Sequence, residues 1–129
     1  MRSVDTNVLI RALTGDDPRQ GPAAAAFIQD HAPVWVSHVV LLETLWVLES
    51  VYDCAKPQLA EALKRIIDNR ELFLEEPDVA RAALALYQAK GKVTFEDCLI
   101  LESARKAGHL PLATFDKALG KLEGAQSLS

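Results

Sequence analysis

Cysteine and histidine are too scarce in this chain to build a metal centre of their own. The two cysteines, Cys54 and Cys98, lack the spacing of a metal motif, and both fall in segments that read as helices, where a free thiol packs as a small apolar group. His31, His38 and His109 are too scattered for a zinc triad. No apolar run approaches the roughly 20 residues that span a bilayer. Met1-Arg2 leads into an apolar stretch without a signal-peptide pattern, so the expected location is the cytoplasm and no membrane is expected as a partner. Internal repeats, low-complexity segments and any composition break marking a second domain are also missing. Positive charge is in deficit: 14 basic residues against 18 acidic give a net charge of −4.

What is present is a chain of 129 residues, half hydrophobic and a quarter charged, which reads as one folded domain over 1–129 with enough length to bury a core. Arg2 to Val4 is a short apolar strand, and Asn7 to Thr14 has helical spacing through Val8, Ile10 and Ala12. Asp17 is suited to cap, and Pro18 to open, a second helix carried to about Asp30 by the alanine run Ala23 to Ala26. Val34-Trp35-Val36, Leu72-Phe73-Leu74 and Leu110 to Thr114 read as strands, with Ala125 to Leu128 as an edge strand. Between them lie helices over 57–69, 77–90 and 94–106, the last stopped by Gly108. From Ser37 a further helix is apolar on nearly every face, so it is expected to be buried, or buried on one side and covered by a partner on the other. Strands alternating with helices call for an α/β fold, with a mostly parallel sheet covered on both faces and ligands at the carboxyl ends of its strands.

Four acids stand inside or at the end of apolar segments: Asp5, Glu43, Asp97 and Asp116. A carboxylate beside a core loses hydration and needs a donor, a cation or a proton in compensation. Taken singly, three have ordinary explanations. Asp5 and Asp116 are placed to cap helices, and Asp97, three residues after Thr94, completes a capping box. Glu43 is different, because its helical neighbours Val39, Val40, Trp46 and Val47 are all apolar. An uncompensated charge there is expected to cost several kcal/mol, on the order of buried-charge penalties, and the structural alternative is an ion pair to Arg11. Taken together, the four suggest a shared divalent cation, and oxygen-only ligands suit Mg²⁺ or Mn²⁺ rather than zinc. Setting these four aside leaves 14 basic and 14 acidic residues, so the net negative charge does not argue against a polyanionic partner.

Asp5-Thr6-Asn7 after a strand, Glu43 in an apolar helix, Phe95-Glu96-Asp97 opening a helix and Thr114-Phe115-Asp116 after a strand together resemble PIN-domain ribonucleases. The Asp16-Asp17-Pro18 turn makes the chain most like the toxin halves of VapBC toxin–antitoxin pairs. The resemblance covers essentially the whole chain, with the motifs in order. It implies a three-layer fold with a mostly parallel five-stranded sheet flanked by helices, and an acidic pocket for one or two Mg²⁺ or Mn²⁺ ions. Asp5, Glu43, Asp97 and Asp116 match the family's acidic quartet, Thr6 and Asn7 its polar pair at the pocket rim, and Thr114 the hydroxyl residue before the last acid. Members often carry another aspartate three residues before the third acid, where this chain has Thr94.

The implied reaction is hydrolysis of RNA phosphodiesters to a 5′-phosphate and a 3′-hydroxyl, with Asp5 and Asp116 anchoring the main ion and Asp97 and Glu43 completing the site. The implied partners are RNA, a second copy in a homodimer, and a small antitoxin whose tail covers the acidic pocket. Arg11, Lys90, Lys92, Lys117 and Lys121 flank the acidic positions in sequence and are candidates for phosphate contacts. No aromatic platform for reading RNA is evident, and Trp35 and Trp46 read as core or interface. Two other readings stay open: a non-catalytic PIN-like scaffold in which Thr94 marks a decayed site, and a metal-dependent phosphatase or phosphoacceptor, against which no lysine clearly joins the acids.

Overall fold

The first helix is set by residues at its two ends. Asp5 accepts a hydrogen bond from the Val8 N–H at 3.0 Å and caps α1, Thr6–Thr14. Gly15, at φ 63°, then ends it by giving its N–H to the Arg11 carbonyl, a left-handed stop that glycine adopts without strain. The structure, a computed structural model, describes residues 1–128. Along the chain follow α2 (Gln20–His31), β1 (Val34–Val36), α3 (His38–Ser50), α4 (Lys56–Asp68), β2 (Leu72–Leu74), α5 (Pro77–Ala89), α6 (Phe95–Ala107), β3 (Leu112–Thr114), α7 (Lys117–Gly120) and β4 (Ala125–Ser127). These elements fall into two compact units, Met1–Pro77 and the residues from Asp78 onward.

In the first unit the turn before α2 behaves as its sequence suggests, although regular helix begins later than Pro18. The Asp17 carboxylate accepts from the N–H groups of Arg19 and Gln20 at 2.9 and 2.7 Å, while the Gly21 N–H reaches the Asp17 carbonyl at 2.9 Å. Ser37 caps α3 by accepting from the Val40 N–H at 3.1 Å. Strands β1 and β2 pair in parallel, Val34 with Leu72 and Val36 with Leu74, and Ser3 forms a parallel bridge to Trp35. Helix α1 packs on α2 and α3, α3 on α4, and α4 on β2.

The buried side chains of this unit include Leu9, Val34, Val36, Leu41, Leu63 and Ile66. Thr44 is buried with them, its hydroxyl satisfied by the Val40 carbonyl at 2.7 Å. Replacing Leu63, which is 0% exposed, by alanine is expected to cost about 2–5 kcal/mol. Urea unfolding read against the wild type checks this, and a change below about 1 kcal/mol would contradict the packing described.

In the second unit Thr94 caps α6 by accepting from the Asp97 N–H at 3.1 Å, and Gly108, at φ 82°, closes that helix as expected. The rings of Tyr87 and Phe95 meet edge to face at 6.0 Å. Strands β3 and β4 pair in parallel, Leu112 with Ala125 and Thr114 with Ser127, with α7 packed against both.

The α/β class is as expected, and each of the five strand segments read from the sequence takes part in parallel pairing. The first is reduced to the Ser3 bridge, and the pairing forms two small sheets, β1–β2 and β3–β4. Leu110 and Pro111 precede β3 rather than belong to it. Cys54 is not helical: it lies half-buried between α3 and α4, whereas Cys98 is buried in α6.

Helix α3 buries one side through Leu41, Thr44, Leu45 and Leu48, while Val39 and Trp46 on its other side are each 66% exposed. Trp46 is therefore not a core residue, and Trp35 is 37% exposed. Among the described residues no helix is long and apolar enough to cross a membrane.

Candidate functional site

Asp5, Thr6 and Asn7 stand where the first apolar stretch turns into α1, and α3 packs against that helix. Thr6 donates its hydroxyl to Glu43 Oε1 at 2.9 Å, which ties the start of α1 to the outer side of α3. Asp5 commits Oδ1 to the helix cap. Asp5 and Asn7 also line a cavity of about 530 Å³, together with Arg11, Gln20 and Phe27.

The burial argument for Glu43 fails. Glu43 is solvent-exposed, because positions 39, 43 and 46 share the outward side of α3 while Leu41, Thr44 and Leu48 point into the core. Nor is it paired with Arg11. The Arg11 Nε–H donates to Gln20 Oε1 at 2.8 Å, and its Nη1 lies 3.6 Å from Asp16. Asp5 and Asp116 are exposed as well, so desolvation does not single them out. Both caps expected at these positions are present.

In the second unit Asp116 caps α7, its Oδ1 accepting from the Leu119 N–H at 2.8 Å. The Thr114 hydroxyl accepts from the Asp116 N–H at 3.0 Å, which fixes the turn between β3 and α7. Asp97, in the first turn of α6, is half-buried. Burial and then the neighbouring Asp116 charge push its carboxyl above the usual value, and hydrogen bonding with Thr94 only partly offsets this. Of the four acids, Asp97 is the one for which the cost inferred from sequence holds.

The acids thus come as two pairs, Asp5 with Glu43 through the intervening Thr6, and Asp97 with Asp116 through their mutual repulsion. Within each pair the side-chain donors are all oxygens, which suits a hard divalent cation, and a cation is what would relieve the Asp97–Asp116 repulsion. Among the described residues no group of three or more His, Cys, Asp or Glu side chains is already placed to hold a metal ion.

Sequence reasoning missed the role of Asp16. Its carboxylate accepts from the hydroxyls of Thr14 and Tyr52 at 2.7 and 2.8 Å, and these bonds, with Arg11 beside it, hold it below the usual carboxylate range. The Asp-Asp-Pro turn was a visible signal, but the Tyr52 partner lies 36 residues away.

A relative named VapC ribonuclease, from Aquifex aeolicus (strain VF5), is 27% identical to this chain over 125 residues, a match covering 95% of this chain and 92% of the relative. The PIN domain family matches residues 3–125, a span that contains all four acids and Thr6, Asn7 and Thr114. The chain belongs to the PIN domain family.

Proposed function

We propose that this chain is a metal-dependent ribonuclease, acting as the toxin of a VapBC-type toxin–antitoxin pair. The observation that carries the proposal is the Asp97–Asp116 pair, two carboxylates held within mutual repulsion at the starts of successive helices of a PIN domain. Family membership and the similarity to a VapC ribonuclease support the substrate class.

On this reading Asp5, Glu43, Asp97 and Asp116 hold one or two Mg²⁺ or Mn²⁺ ions. When bound, such an ion supplies Lewis-acid charge to the phosphodiester and lowers the pKa of the attacking water. The chain's own residues prepare the site. Hydrogen bonds from the Val8 and Leu119 N–H groups orient the Asp5 and Asp116 carboxylates. Thr6 orients Glu43, and Thr114 holds the turn that presents Asp116. Arg11, which lines the cavity with Asp5, is a cation able to meet the substrate there.

The outer side of α3, with Val39 and Trp46 exposed, is proposed as the face of a homodimer. A small antitoxin protein is the proposed inhibitor, and the cytoplasm the proposed location, in keeping with the VapC relative.

The test is digestion of a mixed RNA pool with Mg²⁺ or Mn²⁺. Cleavage is expected to stop with chelator and to fall in Asp5→Asn by about 100-fold or more, the upper end of what residues outside a ligand shell cost. Cleavage that persists in chelator would overturn metal dependence. No cleavage of any RNA, with tight binding of RNA or protein, would favour a non-catalytic scaffold.

A further inference from the structure

The cavity beside Asp5 combines two chemistries. Ala24 and Phe27 from α2 give it apolar walls, while Asn7 and Gln20 contribute amides and Arg11 a guanidinium. Its volume of about 530 Å³ is that of a ligand pocket.

Arg11 is fixed in place. Gln20 accepts from its Nε–H at 2.8 Å, and Asp16 lies 3.6 Å from its Nη1, itself held by Thr14 and Tyr52. The side chain is 28% exposed. A guanidinium pinned through Nε and one terminal nitrogen keeps its flat face and remaining N–H groups for something else, and the entropy of ordering it has already been lost. Gln20, whose carbonyl oxygen serves Arg11, still has its amide donors.

An aliphatic side chain from a protein partner would use the apolar walls but cover the guanidinium and two amides without pairing them, which is costly. A nucleobase satisfies both requirements, since its faces stack on aromatic rings or guanidinium planes and its edge pairs with amides.

We propose that this cavity receives one unpaired base of the RNA substrate, next to the phosphate cut at Asp5. Arg11 and Phe27 supply stacking surfaces, and the amides of Asn7 and Gln20 read the edge of the base. The proposal rests on the ribonuclease reading and adds to it a specificity site built between α1 and α2. Asp16 and Tyr52 act as positioning residues for Arg11.

The test is digestion of a randomised RNA library with Mn²⁺, with sequencing of the new ends, for wild type, Gln20→Leu and Phe27→Ala. Gln20 is exposed at the start of α2, so Gln20→Leu tests the site even if Phe27→Ala folds poorly. Wild type is expected to prefer one base at a position adjoining the cut, and Gln20→Leu to shrink that preference about tenfold, as loss of an edge contact does. Cleavage of the library by wild type with no preference there, or with the same preference in both variants, would overturn the base pocket and leave the ribonuclease reading standing. Unchanged cut-site preference with lost antitoxin binding would assign the cavity to a protein side chain and overturn the proposal. No cleavage by wild type would overturn the ribonuclease reading, and the base pocket with it.

Discussion

Asp97→Asn is expected to abolish RNA cleavage while melting above the wild type in metal-free buffer. The two effects have one origin. The Asp97 carboxylate is half-buried and faces the Asp116 charge, and both factors disfavour its ionised form in the folded chain. Asparagine keeps the shape and one oxygen acceptor while removing the charge, so both penalties disappear. The rise in Tm is expected to be small, because the carboxyl is only partly buried and solvent screens the two charges. Activity is expected to fall by about 100-fold or more, because a proposed metal ligand is lost.

A thermal melt with and without Mg²⁺ separates the roles. If the folded wild type holds Mg²⁺ as proposed, the ion is expected to raise its Tm and to raise that of Asp97→Asn far less. A variant that melts lower than wild type and still cuts RNA would show that Asp97 supports its helix and takes no part in the chemistry.

The second large effect concerns association. Val39 and Trp46 are each 66% exposed on the outer side of α3, an unusual placement for two large apolar residues one above the other on a helix. Tryptophan is also among the residues that most often dominate an interface. Trp46→Glu is therefore expected to weaken self-association by at least about 2 kcal/mol, or about 30-fold in Kd. The fold should tolerate the change, since Trp46 contributes little to the core. Sedimentation velocity over a range of concentrations reads the result. A wild type that stays monomeric throughout would remove the homodimer from the proposed function.

Local signals in the sequence were reliable where one residue decides the backbone. Asp5, Ser37, Thr94 and Gly108 bound their helices because each supplies a hydrogen bond or a positive φ within a few residues of itself, whereas Asp17 holds only the turn before α2, whose regular helix starts at Gln20. Strand positions were also legible, since Val34–Val36 is β-branched and aromatic and Leu72–Leu74 is a short apolar run. Glu43 misled for the opposite reason. A helix that is apolar all round gives no periodicity from which to tell its inner side, so the exposure of positions 39, 43 and 46 could not be read from spacing. The Asp16–Tyr52 contact and the cavity holding Phe27 likewise depend on packing between elements far apart in sequence.

The caps at Asp5 and Asp116 carry a consequence for how such a protein could lose its activity. Each uses a single carboxylate oxygen, Oδ1, to receive a backbone N–H. An amide oxygen can do the same, since asparagine is as good a cap as aspartate. Exchange of one oxygen for an NH₂ group at either position therefore leaves the helix start intact while withdrawing the negative charge. Folding sets no barrier against that exchange, so a silent copy of this chain could persist, expressed and stable, one substitution away from the active form. Only selection on the reaction itself would keep the two aspartates in place.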